Sequence, residues 1–220
     1  MHDRVERLRR RSLETDPSIS IERAVLLTEF YSQNEGKYSI PVMRARSFQH
    51  LCEHKTIHIG DDELIVGERG PEPMAVPTYA ELTCHSVEDF HVLNTRDQQR
   101  YTISQEDIDT YEREVIPYWQ GRTMRERIFS HVPESWRNLY QAGLFTEFME
   151  QRAPGHTCLD GKIYQKGMLD FKKEIAEQIA KLDYLNDSEA TEKSEQLQAM
   201  DIACDAAIVF AERHAELAEK

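Results

Sequence analysis

His156 is the residue whose setting points most directly to chemistry. It lies in Gly155-His156-Thr157-Cys158-Leu159-Asp160-Gly161, a glycine-bracketed loop between helical segments, with Thr157 and Asp160 close by. Glycines let a backbone approach a ligand or adopt positive φ, and loops held by rigid helices are where site residues concentrate. An imidazole there could donate to, or protonate, a leaving oxygen near neutral pH. The plainer alternative is a histidine that only caps the preceding helix. A second set, His50, His54 and His58, is spaced four apart with Cys52 and Glu53 between. Two histidines at that spacing on a helix can chelate zinc. No HExxH pattern accompanies them, and Ile57 and Ile59 place the helix end before His58, so the set reads as a solvated face and no metal is expected. Cys84-His85 is an adjacent pair, and adjacent side chains rarely converge on one ion. There is no phosphate loop, no G-x-S-x-G elbow and no dinucleotide fingerprint.

The elements that must position these residues are mostly helices. Residues 19–34 carry Ile21, Val25, Leu27 and Tyr31 near a 3.6-residue period, with Gly36 as the stop. Pro41 opens a second helix with Val42, Ala45, Phe48 and Cys52 on one face. Glu63-Leu64-Ile65-Val66-Gly67 is the one clear strand signal, and its unbroken apolarity suits a strand covered on both faces. Residues 70–103 read as an irregular connection with one short helix near Ser86-Val87-Glu88-Asp89. Ser104 with Asp107 is an N-cap arrangement opening a helix to about Val115, which Pro117 should end or kink. Further helices fit 121–130, 133–150 with Pro133 at a first helical position, 162–185 and 188–220. In the last, Leu197, Met200, Cys204, Ala207, Ala211, His214 and Ala218 form a stripe reaching the last residues with no Gly, Asn or Pro to finish it. That pattern fits either a frayed terminal helix or a natural chain that continues.

Length and charge bound the rest. A chain of 220 residues with 40% hydrophobic content suffices for one ordinary domain or two small ones with a real core. No apolar run approaches the roughly 20 residues of a membrane span, and the first fourteen residues lack the apolar stretch of a secretory signal. The net charge, 27 − 40 = −13, argues against broad nucleic-acid binding. Four scattered cysteines without C-x-x-C indicate neither a zinc ribbon nor a disulfide scaffold, so a reducing cytoplasm is expected.

Taken in order, Arg4-Val5-Glu6-Arg7-Leu8, ERAVLLTEFY (22–31), PVMRARSF (41–48) and DELIVGER (62–69) resemble the N-terminal region of the glycyl radical enzymes, the pyruvate formate-lyase superfamily. The resemblance continues through GRTM (121–124), RAPGHT (152–157) and AERHA (211–215), covering nearly the whole chain; DELIVG is its most specific piece. It implies a mainly α fold with a few short strands, the N-terminal helical part of a ten-stranded α/β barrel. Residues 1–220 are then one portion of that domain, without the rest of the barrel or the C-terminal glycyl radical domain.

The resemblance also implies a mechanism. An S-adenosylmethionine-dependent iron–sulfur activating enzyme installs a glycyl radical, which passes to a mid-chain cysteine whose thiyl takes hydrogen from a small-molecule substrate, and a glutamate serves as base. None of the nine glycines here lies in an Arg-Val-(Ser/Ala)-Gly-Tyr setting, and none of the four cysteines in Gly-Cys-x-Glu. The segment alone should therefore bind no cofactor directly and turn over nothing. Its implied partners are the remainder of the enzyme chain, the activating enzyme and the substrate, with a homodimer at full length and neither nucleic acid nor membrane.

The loop resembles that of the dehydratase branch, which implies loss of water from a small hydroxylated substrate, trans-4-hydroxy-L-proline before glycerol. His156 matches a histidine that contacts the substrate hydroxyl. Phe148 matches an aromatic that packs on the hydroxyproline ring, although Phe145 and Phe148 also read as helix core. The alternatives are a formate C-acetyltransferase or a C–N or C–S lyase of the same superfamily, and a free-standing, non-catalytic helical binding module. A zinc module on His50, His54 and His58 ranks last.

Overall fold

The computed structural model describes residues 3–145 and 159–220. The chain begins with α1 (Asp3–Glu14), which buries no residue and is held instead by charge. Arg7 donates from both Nε and Nη2 to Asp62 at 2.6 Å. Arg11 pairs with Glu63 and donates to the Asp61 carbonyl at 3.2 Å.

After α1 come β1 (Ser18–Ser20), α2 (Glu22–Asn34) and α3 (Ile40–His54). Gly36, at φ +74°, makes the left-handed turn between the two helices, and Pro41 lies in the first turn of α3. β1 pairs in parallel with β2 (Ala75–Pro77), with Ser18, Ile19 and Ser20 opposite Ala75, Val76 and Pro77. An isolated bridge joins Ser18 to Thr102. Gly70 lies under this sheet, where a Cβ would stand 2.6 Å from both the Cβ and the carbonyl oxygen of Ala75.

The core gathers around α2. It takes Ile21, Ala24 and Leu27, then Ala80, Phe90 of α4 (Val87–Thr95), Ile103 and Ile108 of α5 (Gln105–Thr110). Tyr111 and Val115 of a π-helical turn (Tyr111–Val115) and Trp119 of α6 (Ile116–Trp119) complete it. Phe90 and Tyr111 meet edge to face at 4.9 Å, the ring quadrupoles favouring that geometry. Trp119 Nε1 donates to Thr28 Oγ1 at 2.8 Å, so α6 is bonded to α2 through two buried polar groups. The long α10 (Ala190–Ala218) packs along α3 and along α9 (Met168–Ile179), burying Ser194, Cys204, Ala206 and His214.

Several local expectations are corrected. Residues 63–67 form no strand: Leu64 and Ile65 are 79% and 91% exposed in a loop. The polar groups flanking that run are bonded to Arg7, Arg11 and Lys55, and among the described residues no strand pairs with it. Residues 19–20 belong to β1 rather than to the start of a helix. Pro117 neither ends nor interrupts the helical path, which runs on to Trp119. Its missing N–H and bulky ring are accommodated because the preceding turn widens to π geometry, with Ile116 N–H reaching the Tyr111 carbonyl. α8 (Glu134–Gln141) is shorter than 133–150, Pro133 is its N-cap rather than its first helical residue, and Gly143 turns the chain at φ +72°. In 162–185, a 3₁₀ turn (Asp160–Tyr164) precedes α9. Phe48 is half exposed, and the buried face of α3 is Met43, Ala45, Ser47 and Cys52. No helix among the described residues is long and apolar enough to cross a membrane.

Candidate functional site

His156 and Phe148 lie outside the described residues, but the frame on either side of them is defined. On the entry side, Thr123 caps α7 (Met124–His131) through a reciprocal box: its hydroxyl accepts from Glu126 N–H at 3.1 Å while Glu126 accepts from Thr123 N–H at 3.2 Å. Burial opposes ionisation of Glu126, yet hydrogen bonds from Thr123 and Gly121 outweigh it and hold the carboxyl below its usual range. Two backbone bonds, Met124 N–H to the Glu81 carbonyl and Arg125 N–H to the Leu82 carbonyl, tie α7 to the segment after β2.

α7 and α8 then close on an aromatic cluster. Phe129 stands edge-on to Trp136 at 5.3 Å and to Tyr140 at 5.0 Å, and Trp136 and Tyr140 are parallel at 5.8 Å. The Arg125 guanidinium lies 4.4 Å over Phe129 and donates to the Tyr140 hydroxyl at 3.0 Å. Phe145 packs at 4.7 Å on Trp136, so the chain enters 146–158 from a clamped position.

The exit is equally determined. Leu159 takes a left-handed conformation, φ +67°, and leads into the 3₁₀ turn. Gly167 N–H donates to Asp170 at 2.9 Å to start α9, and Lys172 binds Asp201 at 2.7 Å and Asp205 at 2.9 Å on α10.

The other chemical candidates resolve into structure. The His50 and His54 rings lie 4.2 Å apart and tilted by 32°, with His54 Nδ1 at 2.8 Å from the His50 carbonyl, while His58 lies beyond the end of α3. Burial first, and His54 second, push the His50 pKa down. Among the described residues no three His, Cys, Asp or Glu side chains converge for a metal. Cys84 Sγ is 3.7 Å from the buried Tyr111 hydroxyl. Burial raises the thiols of Cys52, Cys84 and Cys204, which makes them poor thiolates.

Two features escaped sequence reasoning because they depend on contacts between distant segments. Arg213 of α10 donates to the Cys52 carbonyl at 2.5 Å and to the Lys55 carbonyl at 2.8 Å, capping the end of α3. The placement of AERHA within the resemblance was the available signal. Beside this cap is a hollow of about 490 Å³ with Phe48, Leu51 and Phe210 in its walls and Lys55 and Arg69 among its charged groups. Lys55 Nζ donates to the carbonyls of Glu68 and Arg69 at 2.9 and 3.1 Å, and burial lowers its pKa.

A family model described as pyruvate formate lyase-like matches residues 1–220. Trans-4-hydroxy-L-proline dehydratase of Clostridioides difficile is 47% identical over 218 residues, 99% of this chain and 28% of that protein. The crystal structure of hydroxyproline dehydratase from the same organism, with trans-4-hydroxy-L-proline bound, superposes with a TM-score of 0.92 over 99% of this chain and 28% of its own. A glycerol dehydratase from Clostridium butyricum with glycerol bound gives a TM-score of 0.87 at 29% identity, over 99% of this chain and 28% of its own. The chain therefore spans about 28% of the length of the curated relative and of both solved structures. The mainly helical architecture, with two short strands among the described residues, agrees with the N-terminal barrel part expected from the resemblance.

Proposed function

The chain belongs to the pyruvate formate lyase-like family, and from that membership we propose that it is the N-terminal portion of a glycyl radical dehydratase. The enzyme removes water from a small hydroxylated substrate, with trans-4-hydroxy-L-proline ahead of glycerol. The observation that carries this reading is the 47% identity to a hydroxyproline dehydratase across 99% of the chain, against 29% to the glycerol enzyme.

The glycyl radical, installed by an S-adenosylmethionine-dependent iron–sulfur activating enzyme, supplies hydrogen-atom abstraction from the substrate. The thiols described here do not fit that relay. None of the four cysteines of the chain lies in a Gly-Cys-x-Glu setting. Residues 1–220 therefore serve binding and proton handling. His156 hydrogen-bonds the departing hydroxyl and transfers a proton to it, so that it leaves as water rather than hydroxide. Phe148 packs on the apolar edge of the substrate ring. The α7–α8 aromatic cluster and the start of α9 fix the two ends of the segment bearing both residues. The full-length enzyme is a homodimer that works in the reducing cytoplasm, in keeping with three free thiols among the described residues.

The test is His156→Ala in the full-length, anaerobically activated enzyme. Turnover of hydroxyproline should fall by about 10²- to 10⁴-fold, the usual contribution of a positioned acid, with the glycyl radical signal undiminished. Phe148→Ala should mainly raise KM. An enzyme that turns over pyruvate and ignores both substitutions would overturn the proposal.

A further inference from the structure

We propose that the loop 60–70 is a preformed seat for the remainder of the same enzyme chain, which covers Leu64, Ile65 and Val66. The inference rests on the reading that residues 1–220 are part of a longer glycyl radical enzyme, and it does not depend on the substrate.

Three neighbouring apolar side chains stand out from the surface here, with Leu64 79%, Ile65 91% and Val66 43% exposed. The loop that presents them is nevertheless bonded at both ends. On its first limb, Arg7 holds Asp62 through two hydrogen bonds of 2.6 Å, and Arg11 holds both the Asp61 carbonyl and Glu63. Glu63 in turn accepts from Gly60 N–H at 3.1 Å. Gly60 is closed in by these groups, since a Cβ there would stand 2.5 Å from Arg11 Nη1. On its second limb, Lys55 takes the carbonyls of Glu68 and Arg69, and the backbone at Lys55 is itself held by Arg213. Helices α1, α3 and α10 all contribute to these anchors.

Ordering a loop costs conformational entropy, and here the ordering leaves Leu64 and Ile65 almost wholly in the open and Val66 partly so. A contiguous apolar patch in a fixed geometry marks a surface that another surface covers. The hollow walled by Phe48, Leu51 and Phe210 shares Lys55 and Arg69 with this loop, so apolar area available for contact continues beside it.

The occupant follows from length and permanence. The chain matches 99% of itself to relatives of which it covers only 28%, so most of such an enzyme lies outside residues 1–220. A covalently continuous partner covers the apolar crest at all times. An activating enzyme that docks and departs would leave it in water for most of the protein's life.

The experiment places a photo-crosslinking benzoylphenylalanine at position 65 of the full-length protein. The expected product is an intramolecular crosslink to a peptide beyond residue 220, at unchanged molecular mass. In parallel, Ile65→Cys in the folded full-length protein should react with maleimide about tenfold or more slowly than in the unfolded chain. A crosslink of doubled mass, a crosslink formed only with the activating enzyme, or full maleimide reactivity in the folded protein would each overturn the proposal. If the reading frame stops at residue 220, the longer-enzyme reading falls as well. If the frame continues and position 65 stays open, only this inference falls.

Discussion

Replacing Thr28 with valine should destabilise the protein through a group 91 residues away. The substitution keeps the side-chain shape and removes one hydroxyl. That hydroxyl accepts from Trp119 Nε1 at 2.8 Å and donates to the Ala24 carbonyl at 2.6 Å. The Ala24 carbonyl retains its helical bond within α2, so it is not orphaned. The indole N–H is orphaned, because both partners are only 7% exposed and water does not readily replace the lost acceptor. An unsatisfied buried donor costs about 1–3 kcal/mol. In a protein of this size each kcal/mol shifts Tm by roughly 2–4 °C, so the midpoint should fall by roughly 2–12 °C.

Trp119→Phe removes the donor instead, at the cost of lost packing area, while Thr28 continues to bond Ala24. In the double variant neither polar group is stranded, and its loss should fall short of the sum of the single losses by about 1 kcal/mol or more. Urea unfolding followed by circular dichroism, with all four proteins compared at one pH, measures the cycle. A Thr28→Val protein within about 0.5 kcal/mol of the parent, the range of ordinary surface substitutions, would refute the argument. Strict additivity in the cycle would refute it too.

Arg213→Met should cost about 2 kcal/mol, since it strips a charged donor from two carbonyls at the end of α3, and Arg213→Lys should recover only part; thermal unfolding decides. Glu126 has a carboxyl pKa lowered by its cap bonds, net of a burial penalty that acts the other way. It therefore contributes stability that is complete above the ordinary glutamate range and lost as pH falls through its lowered folded value. Urea midpoints measured down the acid limb should drop more steeply in the parent than in Glu126→Gln. Gly70→Ala should be severe, about 2 kcal/mol or more, because the new methyl meets the backbone and Cβ of Ala75. Gly60→Ala should cost less, because the atoms it meets are the ends of Arg11 and Glu63, which can move; urea denaturation of the two variants ranks them.

Some local signals are complete within one turn of chain. The box of Ser86 and Asp89 and the cap of Ser104 on Asp107 N–H are closed within one turn, so residue types three apart suffice to announce them. Gly36 and Pro41 work the same way, each through its own backbone. The strand reading of 63–67 failed because an apolar run reports a need for cover, which can be met without a pairing neighbour. The two strands among the described residues are three residues each and 57 positions apart in register, too short to leave a period. The π turn was equally hidden. Pro117 announces a difficulty for the helix but not its solution, which depends on Tyr111 and Val115 being locked in the core while Trp119 reaches back to Thr28.

The site divides along the same line. The glycine bracket around His156 and its small polar neighbours are facts of sequence, and so is the i, i+4 spacing that stacks Trp136 on Tyr140. The cluster that precedes 146–158 also needs Phe129 from α7, Phe145 from beyond Gly143, and Arg125 lying over Phe129 and donating to the Tyr140 hydroxyl. Each of those residues alone reads as an ordinary core aromatic or a surface cation. Only their closure across the α7–α8 turn, where Pro133 is the N-cap of α8 and Trp136 meets Phe129 edge to face at 5.3 Å, makes them a support. A candidate for chemistry is therefore marked by its immediate neighbours in sequence, whereas the residues of a supporting cluster are marked only by one another.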